Sequence, residues 1–435
     1  MIKTTKSLGF WMATALVVGN MVGSGIFLLP ASLAQYGGIS LFGWLFSTVG
    51  ALLLAFTFAA LARQLPKAGG PYAYTRQGFG DFPGFLVAWG YWMSIWTGNA
   101  AISIAMVGYL GHFWPGVANS PALAAFIALS AIWILTFVNA SGVRNAGLMQ
   151  TATTILKLAP LGLIAVFGLI FIDPHNFTPL NTSGGSNFSA ITSTAALTLW
   201  AFLGLESATI PADHIENPKK TIPRATIAGT IIAAAVYILG TIAVMGVIPA
   251  QKLATSTAPF ADAARLMFGD WAGYVVAIGA AIACFGALNG WILMQGQIPL
   301  AAANDRLFPR QFGRLSRKNM PVFGIYFSSL LATVLMITNY TRGLVGLFTF
   351  AILLATLFTL LPYLFSTMTA LFVALKEKKR IENPMRLAIV AMLAFLYSIW
   401  AVAGAGEEAV YWGFLFLVSS IPVYILIKWQ SIRRK

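Results

Sequence analysis

Twelve stretches of this chain are apolar over the length that a bilayer core demands, and nothing else in the sequence constrains the fold as tightly. A spanning helix needs about 20 mostly apolar residues. Such runs lie near 9–32, 40–62, 83–111, 122–140, 148–171, 189–211, 225–248, 271–297, 322–338, 344–374, 387–404 and 410–427. Of the 435 residues, 58% are hydrophobic and only 9% charged, against roughly 25% charged in soluble domains. A water-soluble fold is therefore excluded. The expectation is an all-α integral membrane protein of twelve transmembrane helices, forming one domain over 1–435.

The formal charge of +15 comes from 27 Lys and Arg against 12 Asp and Glu. On a soluble chain that balance would point to nucleic acid. Here the placement of the charges gives another meaning. Twenty-three of the 27 basic residues fall in the two termini and in every second loop. Lys252, Arg265 and Arg342 lie in the other loops, and Lys157 lies inside a span. This is the positive-inside bias, which puts both termini in the cytoplasm and the chain in an inner (plasma) membrane, with lipid rather than nucleic acid as its surroundings. Lys3 and Lys6 precede the first apolar run, but further spans follow at once, so that run reads as a retained helix and not a cleaved signal. Cys284 is the only cysteine, which excludes a disulfide scaffold and thiolate metal clusters. No cofactor is expected.

Two spans carry matching interruptions. Gly23-Ser24-Gly25-Ile26-Phe27-Leu28-Leu29-Pro30 and Gly204-Leu205-Glu206-Ser207-Ala208-Thr209-Ile210-Pro211 each place glycine first and proline seven residues on, five spans apart. Glycine frees the backbone from helical angles, and proline removes a donor and crowds the preceding turn. Both segments are expected to unwind at mid-depth, where irregular backbone is tolerated only in protein or beside a cavity. Paired breaks in two halves point to a transporter built from repeats, and an odd number of spans per repeat inverts the second half. A channel would show a filter loop or rings of charge, and an enzyme a convergent catalytic set. Neither is visible: His112, His175 and His214 fall at span ends or in loops on different sides.

Several side chains carry candidate chemistry. Glu206 is the only acid placed inside a span; an intramembrane carboxylate is a functional candidate by default, in gating or proton coupling, the alternative being a structural acid paired with unwound backbone. Lys157 is the only base inside a span, about ten residues or ~15 Å into its helix. It reads as a fixed internal cation or a titrating group, or as a snorkelling side chain. Trp96, Trp200 and Trp291 offer faces for a cation, Asn99 an amide, and Ser24 and Gly25 backbone N–H groups for a carboxylate. Freed carbonyls near Trp200 and Leu203 would take an ammonium. Together these describe a site for an amino acid or an amine.

At these residues the sequence resembles the basic amino acid/polyamine antiporters of the APC superfamily, most closely their arginine/agmatine branch. The likeness runs along nearly the whole chain and is strongest at 19–30, at Gly69-Gly70-Pro71-Tyr72-Ala73-Tyr74, at 199–208, at Glu216-Asn217-Pro218-Lys219-Lys220 and at Gly290-Trp291. The resemblance implies a LeuT-type fold with inverted five-helix repeats (about 9–171 and 189–338), broken helices 1 and 6, and helices 11–12 at about 387–427. It implies alternating access and often a homodimer. By matching position, Ser24 and Gly25 would hold the substrate carboxylate, and backbone at Met21, Trp200 and Leu203 its α-amine. Trp291 would stack on the guanidinium with Asn99 beside it. Trp200 would also close over the substrate, Glu206 would be the coupling acid, and Tyr91 and Tyr363 would act in gating.

The departures bear on the substrate. Around the guanidinium position stand Ser94, Ile95, Ile102 and Ala355, and the absence of a hydroxyl at Ala355 weakens an arginine preference. Lys157 is similar to a lysine that proton-coupled transporters of the wider superfamily use in place of sodium. Glu407-Glu408 resembles the putrescine exchangers, as two outward carboxylates able to attract polyamines or as a solvated turn. The functional expectation is exchange of a cationic, arginine-like amino acid for agmatine or a polyamine. Proton-coupled symport of neutral amino acids through Lys157 is one alternative, and a non-transporting amino-acid sensor another.

Overall fold

Apolar runs of this length leave the backbone one economical way to satisfy its N–H and C=O groups away from water, the α-helix. The computed structural model describes residues 9–65, 69–118, 120–141, 161–210, 212, 215–318, 320–376 and 381–432. Among these, ten stretches are long and apolar enough to cross a bilayer. One of them, Val322–Lys376, has 55 residues, or about 80 Å of helix, far beyond a core of about 30 Å. It is divided by a 3-10 turn at Tyr340–Arg342 into Val322–Asn339 and Gly343–Lys376, which matches the two separate runs expected there. The run at 148–171 lies partly outside the described residues; its final part is the apolar helix Leu161–Phe171.

The bundle is organised around the Asp81–Leu110 helix. Its spanning window is 94% buried, against 17% for Glu407–Gln430 at the periphery. It packs most extensively on Gly343–Lys376 and Asp270–Asn304. A second pair, Ser40–Gln64 and Pro218–Val247, holds the first broken helix through Pro218–Val247 and the second through Ser40–Gln64. Short elements outside the long runs cap this assembly. One is the Gly70–Phe79 helix; another is Pro259–Phe268, whose Phe260 ring meets Phe27 edge-on.

The breaks differ in extent from the sequence expectation. The Phe10–Met21 helix stops at Val22 (φ −74°, ψ 76°), where Gly23 N–H donates to Met21 O at 2.8 Å, an inverse γ-turn. Helix resumes at Ser24 and runs through Pro30 to Ala34. Unwinding over the whole of 23–30 is therefore corrected to a two-residue interruption: proline removes one backbone bond, and the fully buried surroundings hold the helix together across it. The second break is longer. Asn187–Leu199 gives way to 3-10 turns at Trp200–Phe202 and Ser207–Thr209, with extended Leu203 and Gly204 at φ +103° between them. Pro211 lies outside the described residues.

Only glycine adopts that φ without strain, and a Cβ at 204 would also sit 3.2 Å from Asn20 Cβ on the first broken helix. The two breaks thus lie directly against each other. Gly204→Ala is expected to cost about 1–3 kcal/mol, read as a lower melting temperature in detergent. Gly162→Ala, where nothing among the described residues lies within 4 Å of the new methyl, is expected not to lower it.

Candidate functional site

Where the two breaks meet the Asp81–Leu110 helix, they line a narrow cavity of about 30 Å³, room for a water or two and far below the roughly 300–1,000 Å³ of an open ligand pocket. Met21, Ser24, Gly25, Tyr91, Ser94 and Ile95 line it, together with Trp200, Leu203, Glu206 and Trp291. The sequence had singled out every one of these. One end of the cavity is electropositive in character. The Ser24–Ala34 helix starts there with no side-chain cap, so its dipole and first-turn N–H groups favour an anion. Ser24 Oγ, 1% exposed, has no hydrogen-bond partner among the described residues.

Glu206 supplies the opposite charge. Its carboxylate is fully buried and accepts from Tyr91 Oη at 2.7 Å (Oε1) and from Tyr363 Oη at 2.8 Å (Oε2). Three helical segments distant in sequence are pinned at this one group. Beside it, Ser94 Oγ and Thr359 Oγ1 share a short hydrogen bond on the cavity wall. The indole of Trp200 crosses the space between the first break and the central helix. A Cβ at Gly25 would lie 3.1 Å from Trp200 Cδ1, and one at Gly98 would lie 2.8 Å from Trp200 Cη2. Both positions need glycine because the ring occupies the room a methyl would take.

Other expected residues fall elsewhere. Asn99 and Ala355 are fully buried but do not line the cavity. The Asn99 amide donates to Gln295 Oε1 at 2.7 Å, and Gln295 in turn donates to Ser329 Oγ and Ile325 O. Ile102 does line the cavity. Trp96 turns away from it, towards Phe416. Tyr363 does not line the cavity and reaches the second break through its bond to Glu206. Lys157 and His214 lie outside the described residues. His112 Nδ1 stands 3.8 Å from Asp262, and His175 is exposed. Glu408 is held by a two-pronged ion pair with Arg342, whose guanidinium lies 4.4 Å above the Phe350 ring. That turn therefore carries one free carboxylate fewer than the sequence implied. Gly98, Thr359 and Gln295 were missed. An amide within a 35-residue apolar helix was a legible signal for Gln295; Thr359 had none.

One end of the bundle is tied by a polar network. Asp305, just past the Asp270–Asn304 helix, accepts from Tyr72 Oη at 2.7 Å and pairs with Arg76 at 2.8 Å. Arg76 also meets Asp81 at 3.1 Å, and Asp81 meets Lys428 at 2.9 Å. Burial first, then the bond to Asp305, pushes the Tyr72 phenol up, so it remains a donor throughout the physiological range. The charged members are 36–42% exposed, so each pair alone contributes little; their joint effect is to clamp four helices at one end.

Two interrupted helices packed on a buried acid at the centre of a multi-pass bundle define a membrane transporter of small molecules, and comparison with known proteins agrees. The amino acid permease family model matches residues 8–426. The cadaverine/lysine antiporter of Escherichia coli K12 is 37% identical over 374 residues, covering 84% of this chain and 83% of that protein. The putrescine transporter PotE of Haemophilus influenzae is 34% identical over 98% of both chains, and that of Escherichia coli K12 is 32% identical over 97% and 96%. The chain belongs to the amino acid permease family of the APC superfamily, among its basic amino acid/polyamine antiporters. These relatives are transporters, not enzymes.

The Glu206 cluster yields a stability ordering. Tyr91→Phe/Tyr363→Phe strips both hydroxyl donors from a buried carboxylate and is expected to cost about 1–3 kcal/mol per lost partner. Glu206→Gln keeps one carbonyl acceptor and is expected to melt closer to wild type. The reverse order of melting temperatures would refute this account of the cluster.

Proposed function

We propose that this protein exchanges a basic amino acid for a diamine across the inner membrane by alternating access, both termini being cytoplasmic, with the cavity between the breaks as the alternately exposed site. One observation carries the reading: a single cavity joins an uncapped helix N-terminus carrying the Ser24 hydroxyl, unpartnered among the described residues, to a buried Glu206 carboxylate. The first receives a carboxylate and the second favours a cation. A basic amino acid satisfies both. Its decarboxylated product lacks the anionic end, so the exchange moves one net positive charge per cycle.

In this reading Ser24 and Gly25 bind the carboxylate, while backbone at Met21, Trp200 and Leu203 takes the α-amine. Trp200 covers the ligand, and Glu206 with Tyr91 and Tyr363 couples binding to closure. Lysine with cadaverine or putrescine is the favoured class. The Ser94–Thr359 hydroxyl pair offers compact acceptors suited to an ammonium, and the relatives act on lysine, cadaverine and putrescine. Arginine with agmatine is the second reading, supported by Trp291, whose ring lines the cavity and suits stacking on a guanidinium.

The test is radiolabelled lysine and arginine uptake into proteoliposomes that are empty or preloaded with cadaverine, putrescine or agmatine. Lysine uptake only against internal cadaverine or putrescine is expected, with Glu206→Gln reducing it by about two orders of magnitude. Arginine uptake against agmatine alone would establish the second pair. Alanine uptake driven by a proton gradient would overturn exchange and move attention to Lys157. Saturable binding with no flux would indicate a sensor.

A further inference from the structure

Away from the cavity, the ends of three helices leave a groove of about 590 Å³. Its wall is apolar, formed by Leu53, Phe56 and Ala60 of the Ser40–Gln64 helix, Ile227 of Pro218–Val247, and Leu387 and Val390 of Pro384–Gly404. At one end it becomes polar. Arg63 and Arg386 line that end from two different helices, together with Gln64, Glu382 and Asn383. Arg76 and Lys428, among the other basic groups, are taken up by carboxylates. Arg63 and Arg386 are different: both are exposed, and neither pairs with a carboxylate among the described residues.

The dimensions and charge suit one kind of occupant. From Leu53 to Arg63 the helix rises about 15 Å, which is half of a hydrocarbon core of about 30 Å. The apolar wall is thus one leaflet deep, with its cations at headgroup level. Two arginines against the single Glu382 leave a net positive rim, and guanidinium groups bind phosphate in two-pronged fashion. Basic pockets between transmembrane helices are suited to anionic headgroups.

We propose that this groove is a binding site for an anionic phospholipid, with its phosphate on Arg63 and Arg386 and its acyl chains along Leu53, Phe56, Leu387 and Val390. The lipid bridges three helices, two of which hold the broken segments, and so contributes to the stability of the transporting core.

The experiment is native mass spectrometry of detergent-purified protein, combined with melting in nanodiscs of phosphatidylethanolamine alone or mixed with phosphatidylglycerol. Wild type is expected to retain phosphatidylglycerol selectively and to melt higher in the mixed discs. Arg63→Gln/Arg386→Gln is expected to retain roughly tenfold less of it and to lose the melting difference. Arg63→Lys/Arg386→Lys keeps the charge and is expected to keep most of both. Arg314→Gln, an exposed arginine outside the groove, is expected to behave as wild type. Should the double glutamine variant fail to fold, the two single variants give the same reading at partial strength. Equal retention of the two lipids by wild type would overturn the proposal, as would equal loss in Arg314→Gln. So would a two-chain species that disappears with Arg63→Gln/Arg386→Gln, because the groove would then be an interface between copies.

Discussion

The rest of the site depends on the close approach of two interrupted helices. A continuous helix buries every backbone polar group in its own ladder and presents only side chains. At Val22–Gly23 and over Trp200–Thr209 that ladder is broken, and polar backbone is released inside an otherwise apolar bundle. Such backbone is tolerable only where protein or a cavity receives it. Gly204, with φ at +103°, lets the second segment lie against Asn20 on the first. The cavity, the helix start at Ser24 and the position of Trp200 all follow from that contact.

Glu206 closes the arrangement. It sits just after Gly204 on the second break, and its two oxygens take hydroxyls from the central helix and from Gly343–Lys376. A buried carboxylate without such donors would cost several kcal/mol, so the tyrosines and the acid determine one another's placement. The same group joins the moving parts of the proposed cycle, because any shift of the second break against those two helices must renegotiate both bonds. At the opposite extreme of burial, the Arg76–Asp81–Asp305–Lys428 network works through number rather than individual strength. It fastens four chain segments with half-exposed pairs, which are weak enough to open.

Membership of the family accounts for the shared architecture, whereas in the proposed function the substrate depends on a few wall residues. Ser94 and Thr359 form a hydroxyl pair, Ile95 and Ile102 are aliphatic, and Trp291 presents an aromatic face. Hydroxyls serve a compact ammonium and a flat ring serves a guanidinium. In the proposed exchange the preference between cations falls to this wall and not to the helix start, which every α-amino acid would engage alike.

By itself the sequence determined the class of fold, the two break points and most of the cavity lining. These properties are local: apolar runs of about 20 residues have one backbone solution in lipid, glycine marks where it can fail, and a lone acid in such a run must be buried with partners. Tertiary structure alone decided the rest. Asn99 is committed to Gln295, and Ala355 is buried away from the cavity, because helix rotation sets which face of a uniformly apolar helix meets the site, and no periodicity records that rotation. Glu408 is neutralised by Arg342 across 66 positions of sequence. Helix also continues through Pro30, since packing on all sides outweighs one missing hydrogen bond.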